Sequence, residues 1–63
     1  MALHQYVIRC RMAHAQRLLA ETDVPLIDIG LQVGYADQSH FTALFRTHAS
    51  PTPKAFRDQA RRA

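Results

Sequence analysis

The chain has 63 residues, with eight Lys+Arg against five Asp+Glu and a formal charge of +3. A chain this short buries only about 60% of the surface its unfolded form exposes, so it makes one domain at most, and a marginal one. Its single cysteine rules out an internal disulfide, and no run approaches the roughly 20 apolar residues of a membrane span.

The opening "MALHQYVIRCRM" carries an early His and two arginines where an export signal needs an unbroken apolar stretch. Together with the lone Cys10, which reads as a small half-buried residue, this points to a cytoplasmic protein with no membrane partner. The basic balance leans toward a polyanionic partner.

Proline and glycine divide the chain into four helical segments. The first, residues 2–21, contains neither. Ile8, Met12, Ala15, Leu18 and Leu19 recur at spacings of three and four and form one apolar stripe. Such a helix reaches about 30 Å, long for so small a domain. Leu3, Tyr6 and Val7 extend its apolar surface beyond what the rest of the chain is expected to cover.

"ETDV" interrupts the pattern, and Pro25 suits the first turn of a second helix. There Leu26, Ile29, Gly30 and Val33 fall on a single face. Gly34 follows at the place of a left-handed C-terminal cap. Asp37 can then accept hydrogen bonds from the free N–H groups of a third helix. "ASPTP" ends that helix, Thr52 caps a fourth, and Pro53 takes its first position. The expected fold class is all-α.

The second and third segments, over residues 25–48, are short and joined by a link of three or four residues containing Gly34, the pattern of a helix-turn-helix. Gly30 lies on the buried face of the second helix. A glycine inside a helix costs about 1 kcal/mol relative to alanine, which a tight crossing by the third helix would offset. At 100° per residue, Phe41, Leu44 and Phe45 of the third helix face inward. Ser39, Thr42, Ala43 and Arg46 face outward, with Gln38, His40 and Thr47 at the flanks. In a recognition helix that outer face lies in the DNA major groove. Gln makes paired hydrogen bonds to adenine, Ser and Thr reach several bases, and Ala touches a thymine methyl. A solvated surface helix shows a polar outer face too, so two readings stand at this point.

"GYADQSHFTALFRTHASPTPKAFR" resembles the C-terminal signature of AraC/XylS-type transcription regulators. Gly34, Tyr35, Asp37, Ser39, Phe41, Phe45, Arg46, Thr52, Pro53, Phe56 and Arg57 fall on matching positions. Upstream, Arg11, Met12, Ala15, Leu18 and Leu19 resemble the family's linker helix, and Leu26, Asp28 and Ile29 the helix before the turn. The resemblance implies a homeodomain-like helix-turn-helix behind a long linker helix, binding promoter DNA for transcription regulation. It identifies the chain as similar to the linker helix (1–21), the second of two such units (25–48) and a closing helix (53–62). A first unit and an effector-binding domain are then expected upstream. Carried over by position, the base-reading candidates are Gln38, Ser39, His40, Thr42 and Ala43, and Arg46 is the phosphate candidate. Arg57, Arg61, Arg62 and Lys54 read as a solvated charged end, with DNA contact by some of them as the alternative. Arg9, Arg11 and Arg17 read as structural or as facing the first unit.

Three positions depart from the family pattern. Ala43 stands where the family often has Arg, Ser50 where it usually has Gly, and Gly30 where it usually has Ala. If the backbone at Ser50 needs positive φ, serine is costly there.

Neither an enzyme nor a cofactor is indicated. His4, His14, His40 and His48 are dispersed, with no i, i+4 ligand pair. No phosphate loop or carboxylate cluster accompanies them. The alternative is a helical protein-interaction module without DNA binding. It would use Ile27, Leu31 and the apolar start of the first helix, surfaces that in a regulator contact RNA polymerase or the upstream unit. The exposed start is also expected to promote self-association.

Overall fold

The computed structural model describes residues 2–62 as four helices, α1 (Leu3–Glu21), α2 (Leu26–Gln32), α3 (Gln38–His48) and α4 (Pro53–Ala60), and no strand among them. The all-α expectation holds, with a long first helix followed by three short ones. Boundaries move slightly. Pro25 is the extended residue before α2 rather than its first helical residue, with ψ 147°. The closing helix ends at Ala60, two residues before the expected 62.

One core holds all four helices together. Met12, Ala15 and Leu19 of α1 meet Ile29 of α2, the turn residues Val33 and Tyr35, and Phe41 and Phe45 of α3. Ile8, Leu18, Leu26, Leu44 and Phe56 are half-buried around them. Each fully buried large side chain contributes about 1.5–3 kcal/mol, so these few residues supply most of what holds so small a chain folded. The first half-turns of α1 project past this core. Leu3 is 77% and Tyr6 58% exposed, as expected from the size of the chain. Cys10 is exposed, against the half-buried expectation, because it lies on the side of α1 opposite the Met12–Ala15–Leu19 stripe.

The turn between α2 and α3 is built by local chemistry. The Gly34 N–H donates to Leu31 O at 3.1 Å and the Tyr35 N–H to Gly30 O at 2.8 Å, the paired bonds of a Schellman cap. Gly34 has φ +104°, which only glycine adopts without strain. Its bare side also admits α1: a Cβ there would lie 3.1 Å from Arg11 Cζ. At the end of α3 no glycine is required. The Ala49 and Ser50 N–H groups both donate to Phe45 O, at 2.7 and 3.0 Å, and among the described residues none other than glycine has positive φ. The conditional cost at Ser50 therefore does not arise. The Ser50–Pro51 peptide that follows is cis.

Arg57 corrects the sequence reading most. It turns inward: its Nε donates to Leu19 O at 3.1 Å, and its Nη2 to Thr22 O at 3.1 Å and to Val24 O at 2.7 Å. Leu19 O is one of the last carbonyls of α1, which no intrahelical N–H can reach. The guanidinium supplies donors there and binds α4 across the α1–α2 connection. Arg61 joins it, donating to Thr22 O and meeting Asp23 at 2.5 Å. That ion pair adds little, since Asp23 is almost fully exposed.

Candidate nucleic-acid interface

α3 is fixed at both ends and along one side. At its start the Asp37 carboxylate accepts from the Ser39 N–H at 2.8 Å and the His40 N–H at 3.3 Å. These bonds satisfy two of the four N–H groups that a helix start leaves free, a cap that contributes about 1 kcal/mol. Asp37 thus has the capping role read from the sequence. Along its inner side Phe41 and Phe45 are wholly buried, their rings 6.0 Å apart. Phe45 packs edge-on against Phe56 of α4 at 5.6 Å.

The close crossing with α2 depends on Gly30. A Cβ there would lie 3.1 Å from Gln38 Oε1 and 3.3 Å from Phe41 Cδ2. The cost of a glycine inside α2 is thereby offset by the approach of α3, as the sequence suggested.

The six candidates separate into three groups. Ser39, Ala43 and Arg46 are exposed along the middle of the outward face. Gln38 and Thr42 are half-buried on the margin toward α2, with the Gln38 amide oxygen lying over Gly30. His40 occupies the opposite margin. It is exposed, stands edge-on to the Tyr35 ring at 5.6 Å, and borders a groove against Val7 and Arg11 of α1. The outward face is therefore narrow and shallow at its centre, with its one cation near the C-terminal end. Two neighbours were not read as part of this surface. Ser50 and Thr52 border a cleft with Arg46 at the end of α3. Their hydroxyls were legible as residue types, but their position beside Arg46 depends on how the chain turns into α4.

Tyr35 supports the turn from beneath. It is buried, the Arg11 guanidinium lies 5.2 Å over its ring, and its hydroxyl has no hydrogen-bond partner among the described residues. Arg11 is structural, one of the two roles its sequence position allowed. No group of three or more His, Cys, Asp or Glu among the described residues could hold a metal ion. No helix among them is long and apolar enough to cross a membrane.

A family model described as a helix-turn-helix domain, of the AraC type, matches residues 1–59. The chain belongs to the AraC-type helix-turn-helix family. Members of this family are DNA-binding transcription regulators. Among curated relatives, the probable transcription factor PqrA of Proteus vulgaris is 38% identical over 56 residues, covering 89% of this chain and 46% of that protein. The transcriptional activator RhaR of Enterobacter sp. (strain 638) is 29% identical over 63 residues, covering all of this chain and 22% of RhaR. RhaS of the same strain is 38% identical over 53 residues, covering 84% of this chain and 19% of RhaS. The AraC-type chain thus spans less than half the length of these relatives. No solved structure gives a significant match.

Proposed function

We propose that this AraC-type unit binds double-stranded promoter DNA by laying α3 in the major groove. Ser39 and Ala43 face the bases, Gln38, Thr42 and His40 reach them from the two margins, and Arg46 neutralises a phosphate. The observation that carries this reading is the contrast across α3. Phe41 and Phe45 are fully buried on one side, while the other side presents only small or polar side chains and one cation. That profile suits a helix that must approach base edges closely. Residues 1–21 would act as the linker helix, with a first helix-turn-helix unit and an effector-binding domain upstream in a cytoplasmic regulator. Its reach of about 30 Å is close to the roughly 34 Å between successive major-groove faces.

The exposed apolar side chains support a second role, in protein contacts. Ile27 and Leu31, 59% and 53% exposed, share one side of α2 away from the core. They suit contact with RNA polymerase, and Leu3 and Tyr6 suit contact with the upstream unit or with a second copy.

Selection from a random duplex library tests the groove assignment. Ser39→Ala should change which base is enriched at one or two positions and cost about 1–3 kcal/mol on the preferred site. An enriched motif identical for both chains, or a variant that loses a protein partner while keeping DNA affinity, would favour the interaction module.

A further inference from the structure

Two open grooves flank the outward face of α3, and they differ in chemistry. The one toward α1 combines apolar side chains with Arg11, His4, His40 and the Asp37 carboxylate. The other, about 640 Å³, lies where α3 turns into α4 and is lined by Ala43, Arg46, Thr47, Ser50, Pro51 and Thr52. No carboxylate lines it.

We infer that the cleft between the second half of α3 and the start of α4 is a phosphate-binding site. It would hold one DNA backbone phosphate beside the bases that α3 reads, with Arg46, Ser50 and Thr52 as its donors. The inference rests on the docking of α3 proposed above. It extends that reading by giving Arg46 two uncharged partners in a defined recess.

The donor inventory supports an anion. Arg46 has no hydrogen-bond or ion-pair partner among the described residues, so its five N–H groups are available. The exposed Ser50 hydroxyl likewise has no protein partner there. Thr52 Oγ1 accepts from the Ala55 N–H at 3.2 Å, which leaves its own proton to donate outward. Thr47 is different: its hydroxyl donates to Ala43 O at 3.0 Å and is spent on the helix. The recess thus offers a guanidinium and two hydroxyl protons, the groups that make most backbone contacts in protein–DNA complexes. Its place also fits. Ala43 and Arg46 belong both to the outward face of α3 and to the cleft wall, so a strand passing α3 passes the cleft mouth.

A charge series at Ser50 tests the site. The unaltered chain, Ser50→Asp and Ser50→Lys are titrated with a selected duplex, and with copies carrying one neutral methylphosphonate moved along each strand. At about 4 Å from a phosphate, one surface charge changes affinity by roughly fivefold, so Asp should weaken and Lys strengthen binding by that factor. The salt slope should change by about one unit in opposite directions for the two variants, with the enriched bases unchanged. A folding defect cannot strengthen binding, so the Lys arm guards against that explanation. One methylphosphonate should weaken the unaltered chain and remove the difference between the two variants. Equal affinity across the series, or a charge effect that no single phosphate removes, overturns the cleft and leaves the groove reading intact. Absence of DNA binding by the unaltered chain overturns both.

Discussion

Arg57→Ala should destabilise the chain by about 2–3 kcal/mol, more than any other substitution of a charged residue in it. The side chain makes three hydrogen bonds to main-chain oxygens, those of Leu19, Thr22 and Val24. Bonds to a charged group contribute about 1.5–3 kcal/mol each where water cannot replace the donor. Here the site is half-buried, so some of the freed oxygens would find water and the sum is reduced. A domain this small seldom exceeds about 3–5 kcal/mol of total stability. Thermal unfolding followed by circular dichroism should therefore move down by about 10–20 °C. Arg57→Lys should recover less than half of the loss, because an ammonium cannot fork between carbonyls on two segments. A melting curve for Arg57→Ala that overlays the parent would refute the role of Arg57 as a tie between α1 and α4.

Phe41→Ala should remove the fold altogether. Phe41 is wholly buried, its ring passes close over Gly30, and it packs against Tyr35 and Phe45 at 6.1 and 6.0 Å. Truncating such a side chain costs about 3–5 kcal/mol, as much as the whole domain is expected to possess. The resulting cavity would lie at the crossing of α2 and α3, so the geometry of the outward face would be lost with the stability. Phe41→Leu keeps much of the volume and should cost under about 1.5 kcal/mol. Urea unfolding of both variants distinguishes these outcomes. Cooperative unfolding of Phe41→Ala with nearly parental stability would mean that the crossing does not depend on this ring.

What could be read from the sequence was what chemistry within a few residues determines. Asp37 caps α3 through N–H groups two and three residues away, and Thr52 caps α4 through one three residues away. Gly34 takes the left-handed cap. The apolar stripes followed from helical period, and Phe41 and Phe45 are buried as their spacing predicts, while Leu44 on the same side and Thr42 on the outer side are both half-buried. Arg57 was not legible because its partners lie 33 to 38 residues away, on a connection whose path no local pattern specifies. Cys10 was placed from its residue type, not from its angle around α1. At the site, the outward face could be derived from the spacing of Phe41 and Phe45. The lean of Gln38 over Gly30, the contact of His40 with Tyr35 and the recess beside Arg46 depend on where α1, α2 and α4 sit, and no spacing within α3 encodes that.

The docking of α3 in the major groove is tested most directly by a salt titration of DNA binding, run on the chain and on Arg46→Ala. With three or four phosphate contacts, log K should fall with log[salt] at a slope of roughly −3 to −4, near −0.9 per contact. Removing the Arg46 guanidinium should make that slope shallower by about one unit while the preferred sequence stays the same. A slope unchanged in Arg46→Ala, or affinity that does not respond to salt, would contradict the proposed placement of α3 on DNA.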